Sequence, residues 1–282
     1  MRENRPSTTA AVVAWARAAS GLDDDVTARL IPRAYTRSLA ASSPGRLGAF
    51  MSTVARRAIS AGLVDHMRLR TATIDALMLQ GIQQGNRQLV VVGAGLDARP
   101  YRFDELADVV AFEIDHPASQ AYKRRKAAQL PARCRDIRYV AVDFEQESMG
   151  DRLVECGFDP TIPTFWIWEG VTMYLAREAT EATLATISSL SAPDSRLAMT
   201  YMLPEPIGLT RGNRIVHRVF ATISEPLVGG MRPADVRAML RRHGFGLMAD
   251  GSNTDWQREM GGEGAGWAML FRAERLAFAA KL

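Results

Sequence analysis

The chain has 282 residues, 47% of them hydrophobic and 23% charged, which is typical of a soluble globular protein. The net charge is +4, and the densest basic run, residues 123–126, lacks the interleaved aromatics of a nucleic-acid surface, so no nucleic-acid partner is expected. The two cysteines, Cys134 and Cys156, have no metal-ligand spacing. They predict no metal site and favour a reducing, cytoplasmic setting.

The sequence predicts neither a membrane span nor a secretion signal. No apolar run approaches the roughly 20 residues that a bilayer-spanning helix needs. Residues 1–21 make a poor signal peptide because Arg17 interrupts their apolar stretch. We therefore expect no membrane partner. The oligomeric state is left open, and a homodimer is compatible with the sequence.

The N-terminal third predicts helices. An alanine- and valine-rich stretch at 8–19 follows a Ser-Thr-Thr start that can cap a helix. A second helix is predicted at 23–30. A long helix is predicted at 50–80, where apolar residues recur at helical spacing, and Gly62 is expected to break it in two.

From Leu89 onward, short apolar strands alternate with helices. Strands are predicted at 89–92, 109–114, 139–142, 165–168, 197–200 and, near the end, 268–273. Helices are predicted at 118–130, 148–156, 177–190 and 233–243. This alternation predicts an α/β fold with a mostly parallel sheet covered on both faces. Residues 202–230 interrupt it with three prolines, and we interpret them as an insertion near the active site.

The residues that follow the predicted strands carry the most informative pattern. In open parallel sheets, ligands bind beyond the carboxyl ends of the strands. The turn Gly93-Ala94-Gly95 follows the first strand, and an acid follows each of the next three: Asp115, Asp143 and Glu169. Glycine lets the backbone turn sharply and approach a ligand closely. The pattern predicts one ligand site built from this turn and these acids.

A dinucleotide is one candidate ligand. Residues 93–98 satisfy the pattern G-x-G-x-x-A, and Asp115 lies about 20 residues further on, where that pattern expects a ribose-binding acid. An NAD-dependent oxidoreductase is therefore an alternative. Against it, Asp97 would repel a phosphate in the turn, and Pro100 disfavours the helix whose N-terminus would bind one.

S-adenosylmethionine is the other candidate, and it carries no phosphate. Its ribose diol needs an acceptor, which Asp115 can supply, and its adenine amino group needs one that Asp143 can supply. Glu169 can add negative potential near the sulfonium. The three acids together with the glycine turn favour this ligand.

Several blocks of the sequence resemble the leucine carboxyl methyltransferase family. Residues 91–102 (VVGAGLDARPYR), continued by 112–117, and residues 168–175 (WEGVTMYL) resemble its specific motifs, and residues 70–75 match a further block. More specifically, the chain resembles the bacterial branch of S-adenosylmethionine-dependent O-methyltransferases, which includes polyketide-tailoring enzymes of secondary metabolism.

The resemblance implies a Rossmann-like class I methyltransferase fold, with a mostly parallel seven-stranded sheet, N-terminal helices and an inserted lid segment. The whole chain, 1–282, is then one methyltransferase domain. Residues 1–85 form an N-terminal helical cap, 86–201 the cofactor-binding core, 202–232 the lid insertion, and 233–282 complete the sheet.

The resemblance also implies roles for individual residues. Arg70 would bind the methionine carboxylate of the cofactor through its guanidinium fork, with Arg17 as a weaker match beside it. Tyr174 would face the acceptor. The other cofactor contacts would be Gly93, Ala94 and Gly95 for the methionine and ribose portions, Asp115 for the ribose hydroxyls, Asp143 and Phe144 for the adenine, and Glu169 close to the cofactor.

The acceptor is expected to be a small molecule that receives the methyl group by direct displacement. A carboxylic acid, with a pKa of about 4, is already ionised at neutral pH and needs no base, whereas a phenol, with a pKa of about 10, would benefit from one. His217, in the insertion, is the histidine we nominate for that role. A binding module without catalytic activity is a third reading, but the acids at all three strand ends argue against it.

Overall fold

The computed structural model describes residues 8–20, 25–32, 48–144, 146–204, 228–260 and 266–282. Within these ranges the helices are α1 (Thr8–Ala19), α2 (Asp25–Leu30), α3 (Gly48–Gln83), α4 (Pro117–Ala127), α5 (Met149–Glu155), α6 (Arg177–Ser189), α7 (Pro233–Arg242) and α8 (Asn253–Glu259). The strands are β1 (Gln88–Val92), β2 (Val110–Asp115), β3 (Asp136–Ala141), β4 (Thr164–Trp168), β5 (Arg196–Met202), β6 (Phe245–Ser252) and β7 (Glu274–Lys281).

The strands form one seven-stranded sheet in the order β3-β2-β1-β4-β5-β7-β6. The pairs among β1 to β5 are parallel, and β7 runs antiparallel to both of its neighbours. The order reverses at β1, which lies between β2 and β4; this is where an open α/β sheet forms its ligand crevice. The predicted α/β fold with a mostly parallel seven-stranded sheet is confirmed.

Both faces of the sheet are covered, as predicted. One face packs on α5, α6 and α7 through side chains such as Leu153, Ile187 and Leu240. The other packs on α3 and α8, through side chains such as Met78 and Trp256. Every residue of β1 and β4 is buried, which explains why these two strands are continuous apolar runs rather than alternating ones.

The C-terminal part differs most from the sequence prediction. Residues 268–273 are not a strand; they lie mostly in a 3-10 turn (Gly266–Phe271), and the last strand is β7. The prediction also missed β6, which is half-exposed at the sheet edge, has a register shift between Leu247 and Ala249, and therefore shows no clear alternation. The predicted break at Gly62 is wrong, because α3 is continuous through it.

The connection from β1 to β2 contains two 3-10 turns, Arg99–Tyr101 and Asp104–Leu106, in place of an α-helix. Pro100 lies in the first of them, in agreement with its predicted effect. As a result, no α-helix within residues 93–109 directs its N-terminus at the glycine turn. Among the described residues, no helix combines the length and apolar character needed to cross a membrane.

Candidate cofactor and active site

A cavity of about 350 Å³ opens beyond the carboxyl ends of β1, β2 and β4. This volume is within the range of small-molecule sites, about 300–1,000 Å³. Its wall includes most of the residues that the sequence nominated: Arg70, Gly93, Ala94, Gly95, Asp115, Phe144, Glu169 and Tyr174. The fold therefore brings together residues that are up to 104 positions apart in the chain.

The glycine turn adopts backbone conformations that favour glycine. Gly93 has a φ of 72° and Gly95 a φ of 49°. A Cβ on Gly93 would also come within 2.4 Å of Val171 Cγ2, so a side chain there has no room. The N–H groups of Gly93 and Ala94 each donate to the Ile114 carbonyl at 2.9 Å, which fastens the turn to β2.

Asp115, the last residue of β2, is half-buried on the cavity wall. Its Oδ2 accepts from the Gly95 N–H at 2.5 Å, and its Oδ1 accepts from the His116 N–H at 2.7 Å. Burial raises the pKa of this carboxyl, and the two backbone N–H groups oppose that rise. Each carboxylate oxygen can accept more than one hydrogen bond, so Asp115 retains capacity for a ligand hydroxyl. His116 caps α4 by accepting from the Ala118 N–H.

Glu169, which follows β4, is surrounded by three buried arginines. Its carboxylate oxygens lie 2.5 Å from Arg17 Nη2, 2.7 Å from Arg70 Nε and 3.0 Å from Arg99 Nη1. Burial alone would raise the pKa of Glu169, but Arg17, Arg70 and Arg99 hold it well below its usual range. The negative potential that Glu169 was expected to direct at the sulfonium is therefore offset by these cations.

The ion pairs around Glu169 extend into a larger buried cluster, which we call the arginine network. Its members are Arg17, Arg70, Arg99 and Arg102 with Asp75, Asp97, Glu169 and Glu274, and their formal charges sum to zero. Asp97 pairs with Arg99 and lies 3.8 Å from Arg17, so its charge is also balanced. The predicted repulsion of phosphate by Asp97 is therefore weaker than its charge suggests.

Arg70 connects the network to the cavity. It is 3% exposed, pairs with Glu169, and donates from Nη1 to Glu274 Oε1 at 2.8 Å and Oε2 at 3.0 Å. Glu274 was not found from the sequence because it begins β7 instead of following a parallel strand. The available signal was its place at the start of an antiparallel strand, whose first residue meets the carboxyl edge of the sheet.

The remaining nominated residues lie in different settings. Phe144 is 52% exposed and lies on the cavity wall. Asp143 is not among the described residues that line the cavity, and it accepts from Gln146 Nε2 at 3.0 Å. Tyr174 is half-buried on the wall, in the 3-10 turn Thr172–Tyr174. His217 lies outside the described residues.

Helix α1 forms one side of the cavity. Ala10, Val13, Ala14 and Arg17 line the wall from this helix. The last described residues of the insertion pass the turn that carries Tyr174: the N–H groups of residues 228 and 229 donate to the Met173 carbonyl at 3.0 and 2.9 Å.

Comparison with known proteins identifies the family. Residues 7–188 match the leucine carboxyl methyltransferase family. A protein of Mycolicibacterium smegmatis named "Putative S-adenosyl-L-methionine-dependent methyltransferase" is 39% identical over 154 residues, 54% of this chain and 51% of that protein. A protein of Mycobacterium marinum with the same name is 44% identical over 139 residues, 49% and 44% of the two chains. The chain thus spans about half the length of the curated relatives it matches.

Solved structures share the fold along nearly the whole chain. A DUF574 family protein from Streptomyces avermitilis has a TM-score of 0.63 at 14% identity and covers 99% of both chains. The magnesium protoporphyrin IX methyltransferase of Synechocystis, solved with bound S-adenosylhomocysteine, has a TM-score of 0.50 at 15% identity and covers 88% of this chain and 94% of that one. The matches confirm the predicted class of cofactor, S-adenosylmethionine, and give no support to the NAD alternative. The chain belongs to the leucine carboxyl methyltransferase family.

Proposed function

We propose that the protein transfers a methyl group from S-adenosylmethionine to a carboxylate or phenolic oxygen of a small metabolite. The observation that carries the proposal is that one cavity contains a carboxylate, Asp115, and a buried guanidinium, Arg70, around the glycine turn. The cofactor has the complementary groups, a ribose diol and an amino-acid carboxylate. Asp115 would accept from the diol, and Arg70 with Arg17 would hold the carboxylate.

Bound S-adenosylmethionine supplies an electrophilic methyl group and a neutral thioether leaving group, so the protein needs no acid for departure. The residues of the chain then act mainly by alignment, which can supply about 7–11 kcal/mol when two reactants are held in the correct geometry. The apolar side chains of α1, Ala10, Val13 and Ala14, line one side of the cavity and would exclude water from that side of a bound cofactor. Tyr174 lies on the wall and is our candidate for contact with the acceptor, and Phe144, also on the wall, is our candidate for contact with the adenine.

The resemblance to polyketide-tailoring enzymes supports a small acidic or phenolic acceptor from secondary metabolism. The cysteines, both unpaired, fit the proposed cytoplasmic setting. If the acceptor is a phenol, His217 is the proposed base. Its replacement by alanine is then expected to slow transfer by about 10²–10⁴-fold, whereas transfer to a carboxylate is expected to be unchanged.

Methyl transfer from labelled S-adenosylmethionine to a panel of carboxylic acids and phenols tests the proposal. Mild alkali distinguishes the products, because it releases labelled methanol from methyl esters and leaves aryl methyl ethers intact. The pH profile provides a second criterion: a carboxylate acceptor is ionised throughout pH 6–9, whereas the rate with a phenol rises towards its pKa. Failure of the wild-type protein to bind S-adenosylhomocysteine would overturn the proposal.

A further inference from the structure

Glu274 is a buried acid far along the chain from the strand ends that first indicated the site. It is 5% exposed and is the first residue of β7, where it pairs in register with Met202 at the end of β5. Because β7 is antiparallel to β5, its first residue lies at the same sheet edge as the carboxyl ends of the parallel strands. This places Glu274 in contact with Arg70, on a strand outside the residues 7–188 that match the family.

Two acids hold the guanidinium of Arg70 from different strands. Glu169 pairs with Nε, and Glu274 accepts from Nη1 with both of its oxygens. Burial alone would raise the pKa of Glu274, but Arg70 and the hydrogen bond from His66 lower the pKa to about 2. Glu274 is therefore a carboxylate at neutral pH, and the orientation of the guanidinium plane is set by contacts at two of its nitrogens.

His66 in turn fixes Glu274. Its Nε2 lies 2.6 Å from Glu274 Oε2, and its ring stacks on Phe271 with centroids 5.4 Å apart. The amide nitrogen of Asn253 donates to the Ala268 carbonyl and lies 3.1 Å from His66 Nδ1. Since that nitrogen can only donate, Nδ1 must accept, and the ring proton lies on Nε2, directed at Glu274.

From this chain of contacts we propose that Glu274, held by His66, is a positioning residue that aims Arg70 at the carboxylate of the cofactor. The inference rests on the proposed function. Glu274 does not itself touch the cofactor; it restricts the guanidinium of Arg70 to one orientation at the cavity wall. A positioning role and a purely electrostatic role predict opposite results when the charge of Glu274 is removed.

The arginine network has a formal charge of zero, so removing one acid leaves it with an excess positive charge. If Glu274 only competed with the cofactor carboxylate for Arg70, Glu274→Gln would bind S-adenosylhomocysteine more tightly. If Glu274 positions Arg70, the same substitution weakens that binding, because the amide nitrogen cannot accept from Arg70 and part of the fixed geometry is lost.

The test is calorimetric titration of wild-type and Glu274→Gln proteins with two probes, S-adenosylhomocysteine and 5′-methylthioadenosine. The second probe has the adenosine part and lacks the carboxylate. We expect Glu274→Gln to weaken S-adenosylhomocysteine binding by about 10–100-fold and to leave 5′-methylthioadenosine binding within about threefold. Arg70→Ala should show the same selective loss. Merely structural damage would weaken both probes together.

Asp250→Asn is the matched control. Asp250 pairs with Arg275 on the neighbouring strand at 2.9 Å and is not on the cavity wall, so both probes should bind as they do to the wild type. Unchanged or tighter binding of S-adenosylhomocysteine by Glu274→Gln, or an equal loss for both probes, would overturn the inference while leaving the proposed function intact. No binding of S-adenosylhomocysteine by the wild type would overturn both.

Discussion

Asp115 at the end of β2 and Glu169 at the end of β4 were nominated by the same reasoning, yet the structure uses them differently. Asp115 is half-buried and accepts from the backbone N–H groups of Gly95 and His116. Glu169 is 9% exposed and paired with three arginines. An acid after a parallel strand is thus placed at the site by topology, but its neighbours decide whether it serves a ligand or the protein itself.

The comparison predicts that Glu169 matters most for folding. Glu169→Ala leaves the buried arginine network with an uncompensated positive charge, and we expect the free energy of unfolding to fall by about 3–5 kcal/mol. Urea denaturation measures this. Glu155→Gln is the control, since the Arg152–Glu155 pair is on the surface and should contribute less than about 1 kcal/mol. Equal effects of the two substitutions would show that Glu169 contributes no more to stability than a surface ion pair does.

The contact between the glycine turn and the loop after β4 gives the next largest effect. Gly93→Ala forces a side chain into a positive φ and against Val171, so we expect a loss of about 2–4 kcal/mol of stability. Gly85→Ala also has a positive φ, 108°, but its Cβ meets nothing within 4 Å, so about 1 kcal/mol is expected. The double variant Gly93→Ala, Val171→Ala should recover the part of the loss due to the clash.

Asp115 should show the converse of Glu169. We expect Asp115→Asn to weaken S-adenosylhomocysteine binding by about 10–100-fold, or about 1.5–3 kcal/mol, because the amide replaces one acceptor oxygen by a donor. The free energy of unfolding of this variant should change by only about 1 kcal/mol. Asp115 is half-buried and has backbone partners, whereas Glu169 is at the centre of a network of ion pairs. Calorimetry and urea denaturation of the same preparation separate the two effects. Unchanged affinity would remove Asp115 from the site.

The buried acid Glu113 of β2 and the acids paired with Arg70 should change the stability with pH in opposite directions. Within β2, burial raises the pKa of Glu113 from 4.5 to about 7, although Lys123 lies 2.7 Å away and opposes the rise. Between pH 4.5 and 7 the unfolded chain releases this proton before the folded protein does, so stability is lost as the pH rises. The wild type should therefore lose about 2–3 kcal/mol relative to Glu113→Gln over that interval.

Glu169 and Glu274 have lowered pKa values, so their contribution is present at neutral pH and is lost on acidification, for Glu274 between pH 4.5 and about 2. Urea denaturation at pH 4.5, 5.5, 6.5 and 7.5 measures the Glu113 effect without interference from them. A stability difference between wild type and Glu113→Gln that does not vary with pH would show that folding leaves the pKa of Glu113 unchanged.

The sequence by itself determined the class of fold and the position of the site. Strands β1, β2 and β4 were recognisable because each is a short run buried on both faces, and the glycine turn because its residue types suit few other conformations. The parallel topology then implied that the residues after these strands would meet. These signals are local: each depends on residues within a few positions of one another, and tertiary packing had only to preserve them.

The tertiary structure alone decided how the charges are paired and where the C-terminal strands lie. Arg70 and Glu274 are 204 positions apart, and no local pattern relates them. The edge strand β6 is half-exposed and irregular in register, so it has no clear hydrophobic period to detect. Whether a carboxylate remains available to a ligand, as Asp115 does, or is neutralised, as Glu169 is, depends on which side chains converge on it, and only packing in three dimensions sets that.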